Sequence, residues 1–155
     1  MLGHVSRDTL VRMTVDDTDN FSKFAGKGLD ALLGLQITDI DDDGAVTATL
    51  EIDSRHHQPF GIVHGGIYCA IAESVASTSG FVWLSKQGPG QTAVGVNNNT
   101  DFLRSVSSGV VTAKSSPIHR GRRQQLWRVE MSDDAGRLLA TSQVRLQNID
   151  MPAVA

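Results

Sequence analysis

Between His64 and Lys86 the chain carries one formally charged residue, Glu73. It sits in Ile67-Tyr68-Cys69-Ala70-Ile71-Ala72-Glu73-Ser74-Val75-Ala76-Ser77, an apolar run long enough for a buried helix. An unpaired charge is costly to bury, so a carboxylate here is either at work or neutralised. Ser77 lies four residues on and shares its helix face, where a hydroxyl can hold water against the carboxylate. An acid at a solvent-facing edge, or one paired with an arginine, is the plainer alternative. Just upstream, Gln58-Pro59-Phe60-Gly61-Ile62-Val63-His64-Gly65-Gly66 leads into the helix. The first turn of a helix has backbone N–H groups without intrahelical partners, and the dipole adds positive potential there. Gly65 and Gly66 have no side chains, so a carbonyl oxygen can approach those N–H groups, as in an oxyanion hole. The same glycines also serve tight packing of loop on helix. Gln58 and His64 can orient a substrate by hydrogen bonds, although a lone loop histidine is often structural. Eight residues, about 12 Å of helix, separate Gly65 from Glu73. If both act on one carbonyl group, they come from different chains.

A second polar cluster is His119-Arg120-Gly121-Arg122-Arg123, between two expected strands. Three arginines around a glycine can bind phosphates; a solvated hairpin is the alternative. His56, His57 and His119 show no metal-ligand spacing, so neither a metal nor a cofactor is expected. There is no Gly-x-Ser-x-Gly elbow and no phosphate loop.

The chain has 155 residues and a net charge of −3, which fits one domain and gives no reason to expect nucleic acid. Cys69 is the only cysteine, so no intrachain disulfide can form. The N-terminus lacks the basic start and apolar core of a signal peptide. The run 65–85 approaches membrane-spanning length but contains Glu73, hydroxyls and three glycines, so a soluble core helix and a cytoplasmic location are expected, with no membrane partner.

These residues need elements to position them. Residues 1–18 have weak periodicity and are read as an arm, 19–148 as the domain, and 149–155 as a tail. Phe21, Phe24, Leu29, Leu32 and Leu33 mark short helical turns closed by Gly34. Leu35–Ile40 is an expected strand, and Asp41-Asp42-Asp43-Gly44 a hairpin turn. In 45–53, Val46, Ala48, Leu50 and Ile52 face one way and Thr47, Thr49, Glu51 and Asp53 the other. The helix follows from about 65 to 86, then strands near 91–104, 108–119, 122–132 and 136–147. Pro117 marks a bulge or an edge. Leu138, Ala140, Ser142, Val144 and Leu146 share one face, with Leu139 opposite. This order defines an α+β domain: one antiparallel sheet curling around a helix that must be covered nearly all round. Open sheet edges favour pairing with a second chain.

The motif Gly61-Ile62-Val63-His64-Gly65-Gly66, followed by Ala70-Ile71-Ala72-Glu73-Ser74, resembles the signature of hotdog-fold acyl-CoA thioesterases of the PaaI-like group. Within that group it is most similar to the branch of 4-hydroxybenzoyl-CoA and 1,4-dihydroxy-2-naphthoyl-CoA thioesterases. The resemblance covers about residues 30–147 and continues through Ala93-Val94-Gly95, Pro117-Ile118-His119-Arg120-Gly121-Arg122 and Asp134-Ala135-Gly136-Arg137-Leu138. It implies a hotdog fold, a long central helix wrapped by a curved antiparallel sheet of about six strands. It also implies hydrolysis of an aromatic or medium-sized acyl-CoA, with coenzyme A as part of the substrate. Glu73 would be the nucleophile or general base, Gly65 the oxyanion donor, Gln58 and His64 positioning groups, and Ser77 an assisting hydroxyl. Gly66 and the segment His119, Arg120, Gly121, Arg122 and Arg123 would contact substrate and coenzyme A. Some members carry small hydroxyl residues where this chain has Arg122 and Arg123, so phosphate contacts do not transfer atom for atom. The glutamate and the glycine would come from opposite subunits of a homodimer, built further into a tetramer. A hotdog domain that binds acyl-CoA without turnover is the alternative. The loop signature of hotdog hydratases is missing.

Overall fold

The structure, a computed structural model, describes residues 26–151. The expected arm 1–18, residues 19–25 and the last four residues of the tail lie outside them. Helix α1 (Gly28–Leu33) ends at Gly34, whose left-handed φ of 80° closes it as the sequence leads one to expect. Strand β1 (Gln36–Ile40) turns into β2 (Val46–Glu51) through the aspartate-rich hairpin. There Asp41 Oδ1 accepts from the N–H groups of Asp43 and Ala45 at 2.9 and 2.8 Å, and Gly44 supplies the positive φ. Helix α2 (Gly65–Ser85) follows, then β3 (Gln91–Phe102), β4 (Val110–Arg120), β5 (Gln124–Ser132) and β6 (Leu138–Asp150). All six strands form one antiparallel sheet in the order β1-β2-β4-β5-β6-β3.

The alternation in β2 holds: Val46, Ala48, Leu50 and Ile52 are buried. They meet Ile71, Ala72, Val75 and Ala76 of α2 in one core with Trp127, Val129, Met131, Val144 and Leu146. Burial of each large aliphatic side chain is worth about 1.5–3 kcal/mol, and this core fixes α2 against the inner face of the sheet. The helix is long and apolar enough to cross a membrane by length and composition, yet its apolar side is spent on this sheet.

Three expectations need correction. The helix of this chain is not covered nearly all round: Cys69, Ala70, Glu73, Ser74, Ser77 and Thr78 are half-buried on its other side. Leu139 is fully buried, although strict alternation puts it on the outer face. Met131 pairs with Ala140 and Ser132 with Leu138, so Leu139 is the extra residue of a bulge that turns it inward. The sheet also runs into the expected tail, since Ile149 and Asp150 pair with Thr92 and Gln91. Pro117 does sit at a bulge, where the register with β5 slips between Pro117 and His119.

Candidate active site

The loop before α2 is built from histidines whose roles are structural. His56 is fully buried. Its Nδ1 accepts from the Asp53 N–H at 2.9 Å, so Nε2 carries the proton and donates to the Leu33 carbonyl at 2.8 Å. His57 Nε2 lies 2.8 Å from the Ser107 carbonyl. Val63 N–H donates to the Val106 carbonyl and His64 N–H to that of His56. The loop 54–64 is thereby pinned before the helix begins. His64 is the helix N-cap, and its Nδ1 accepts from Gly66 N–H at 2.8 Å. Gly66 N–H is thus used within the chain, whereas Gly65 N–H has no partner among the described hydrogen bonds. The structure therefore separates the two glycines, and among the described residues Gly65 N–H is the unpartnered donor at the dipole end.

Gln58, His64 and Gly65 come together around one cavity of about 460 Å³, whose other walls include Ile62, Val63, Tyr68, Phe102 and Leu103. The Phe102 ring lies 2.9 Å from where a Cβ on Gly65 would stand, so any side chain there would displace it. Tyr68 and Phe102 pack with ring centroids 6.1 Å apart, and burial pushes the Tyr68 phenol up from its ordinary value. Gln58, one of the residues lining the cavity, accepts from Phe60 N–H through Oε1 at 2.9 Å, and its amide nitrogen is a donor group.

Glu73 does not line this cavity. It stands two turns further along α2, against β3, with Ser77 one turn beyond it. Its Oε2 accepts from the Asn98 side-chain amide at 3.1 Å. A Cβ at residue 95 would overlap Oε1, so only glycine there lets the carboxylate lie against the strand. Gly95 and Asn98 are an odd number of residues apart and in a regular strand would face opposite ways. Gly95 pairs with Leu146 and Asn97 with Arg145, so Val96 is the extra residue of a bulge. The bulge turns both Gly95 and Asn98 toward Glu73. Sequence reasoning missed Asn98 for this reason; the signal available was a glycine inside a strand.

His119 and Arg120 end β4, and Gly121, Arg122 and Arg123 form the turn into β5. His119, Gly121, Arg122 and Arg123 line a shallow concavity with Gln124 and Gln147. Arg120 is not among them. Its guanidinium lies 5.8 and 5.9 Å from the ring centroids of Trp83 and Trp127 and donates to the Asp43 carbonyl at 2.9 Å. It ties the β1–β2 turn to the sheet, so the basic cluster offers two arginines on this surface, Arg122 and Arg123. Among the described residues no group of three histidine, cysteine, aspartate or glutamate side chains gathers as a metal site.

A long helix held by a six-stranded antiparallel sheet is the architecture of the hotdog fold. The chain belongs to the thioesterase superfamily, whose family model matches residues 60–140. It is 54% identical over 121 residues to a Mycobacterium tuberculosis protein named as an esterase, covering 78% of this chain and 86% of that protein. It is 38% identical over 112 residues to the 1,4-dihydroxy-2-naphthoyl-CoA hydrolase of Escherichia coli, covering 72% and 79%. The crystal structure of a Haemophilus influenzae thioesterase superimposes with a TM-score of 0.78 at 34% identity, covering 85% of this chain and 90% of that one. The fold and the enzyme class expected from the sequence both hold.

Proposed function

We propose that the protein hydrolyses the thioester of an aromatic or medium-sized acyl-CoA to the free acid and coenzyme A. The observation that carries this reading is the cavity at the start of α2. It joins an unpartnered Gly65 N–H to apolar walls from Ile62, Val63, Tyr68 and Phe102. The Gly65 N–H, at the positive end of the dipole, stabilises the oxyanion that forms when the carbonyl is attacked. Glu73 of a facing subunit attacks that carbonyl directly or removes a proton from water that does. In the first route the thioester C–S bond breaks, coenzyme A leaves as its thiolate, and water then cleaves the mixed anhydride. In the second route water supplies both the hydroxyl of the acid and the proton that returns to sulfur. Gln58 and His64 orient the acyl group, Ser77 holds water near the carboxylate, and Gly66 keeps the loop close to the substrate. The turn with His119, Gly121, Arg122 and Arg123 meets the phosphates of coenzyme A. No metal or cofactor takes part.

Coverage of the free β3 edge by a second copy builds the two-chain site, and a tetramer is a further assembly of such pairs. The test is thiol release from aromatic and aliphatic acyl-CoAs assayed side by side. Turnover of at least one class is expected, with aromatic or medium-length members preferred. Tight binding without thiol release would replace this reading with that of an acyl-CoA-binding protein.

A further inference from the structure

We infer that Asn98 is a positioning residue that fixes which oxygen of Glu73 meets the substrate. This rests on the proposed role of Glu73 and extends it. The Asn98 amide donates to Glu73 Oε2 at 3.1 Å and to the Cys69 carbonyl at 3.0 Å. Its own oxygen accepts from Thr100 Oγ1 at 2.8 Å. Thr100 Oγ1 also lies 2.8 Å from Ser142 Oγ. A threonine hydroxyl has one proton, and here it goes to Asn98, so Ser142 is the donor in the second contact. The chain Ser142 to Thr100 to Asn98 to Glu73 then has one consistent direction. It holds the amide with nitrogen, not oxygen, toward the carboxylate. A reversed amide would set oxygen against oxygen at Glu73 and at the Cys69 carbonyl.

The strand geometry serves the same end. The bulge at Val96 turns Asn98 inward beside Gly95, and Gly95 leaves the space in which Oε1 lies. Oε2 is tethered, while Oε1 accepts no hydrogen bond among the described residues. A carboxylate held by one oxygen cannot rotate freely about its last bond. Oε1 is thus the atom presented for attack on the carbonyl or for proton abstraction, and Asn98, Thr100 and Ser142 set its direction without touching substrate.

The test compares Asn98→Ala, Asn98→Asp and Thr100→Val with the unaltered enzyme, and repeats Asn98→Ala in a Glu73→Gln background. Asn98→Asp keeps the shape and the acceptor for Thr100 but removes the donor, so it remains informative if Asn98→Ala fails to fold. Misdirection of a reacting group is expected to lower kcat about tenfold to a hundredfold for both Asn98 variants, with KM within about twofold. Thr100→Val, which frees the amide without deleting it, should lose less. In the Glu73→Gln background the Asn98 change should cost nothing further. The inference is overturned if kcat stays within about twofold, if KM rises while kcat holds, or if the loss is as large without Glu73, which marks a purely structural residue. Full activity of Glu73→Gln alone would remove the reading of Glu73 itself, a result distinct from those three.

Discussion

Glu73 was conspicuous in the sequence because it is a lone charge, but its surroundings were not, because they depend on which way β3 turns. Alternation assigns Gly95 and Asn98 to opposite faces, and only the bulge at Val96 reverses this. Gly95 tests that geometry directly. In Gly95→Ala the new methyl overlaps the carboxylate, so Glu73 must move while the half-buried surroundings adjust. A kcat loss of about a hundredfold is expected with a smaller fall in thermal stability, measured by thiol release and by melting. His64 is read differently by the structure than by its type alone: its ring caps α2 through Gly66 N–H. His64→Ala should cost about 1 kcal/mol of stability in denaturant unfolding, and His64→Asn, which can still cap, clearly less. Asp133, which does not line the cavity, supplies a pH test. The Arg137 guanidinium, with the backbone N–H groups of Arg137 and Ala135, holds its carboxyl below the ordinary range. A depressed carboxylate stabilises the fold above its unfolded value and loses that contribution as pH falls through the folded one. The melting-point gap between the unaltered protein and Asp133→Asn should be present at neutral pH and close in strong acid. A gap that persists there would contradict the charge-based account.

The elements themselves were legible wherever one periodicity held without interruption. β2 alternates cleanly, β5 places Trp127, Val129 and Met131 inside, and the aspartate-glycine turns at 41–44 and 133–136 close hairpins. Bulges erased the signal elsewhere, because one inserted residue exchanges faces without changing composition; Leu139 is the case in β6. Arg120 shows a second reason. Its sequence neighbours suggested a phosphate cluster, but its partners, Trp83 and Trp127, are distant in sequence and become neighbours only through the fold. Gly80 shows how closely α2 approaches the sheet: a Cβ there would overlap Leu146. Alanine in place of glycine gains about 1 kcal/mol in a free helix, whereas overpacking a core costs about 1–3 kcal/mol. Gly80→Ala is therefore expected to lower stability, as chemical denaturation would show. A stabilised variant would mean that the helix can ride higher on the sheet than the described packing allows.

At the scale of the whole molecule, one chain holds the two parts of the proposed site apart. Gln58, His64 and the free Gly65 N–H line a cavity from which Glu73 is absent, and the two groups are held apart on one rigid helix. The separation was readable from eight residues of helical rise, but the surface that brings a second chain was not, because an edge strand is recognised only once the strand order is known. Among the described residues that order leaves β3 at one edge of the sheet, paired with β6 alone, with Val94, Val96 and Phe102 exposed along it. If two copies pair there, each substrate meets Gly65 and Gln58 of one chain and Glu73 of the other. The decisive measurement is thiol release by a doubly tagged heterodimer of Glu73→Gln with Gln58→Ala. Sites shared between chains would leave one unaltered site in each heterodimer and about half the activity of the unaltered dimer. Sites contained within single chains would leave none, and activity no higher than the mean of the two variant homodimers would contradict the account.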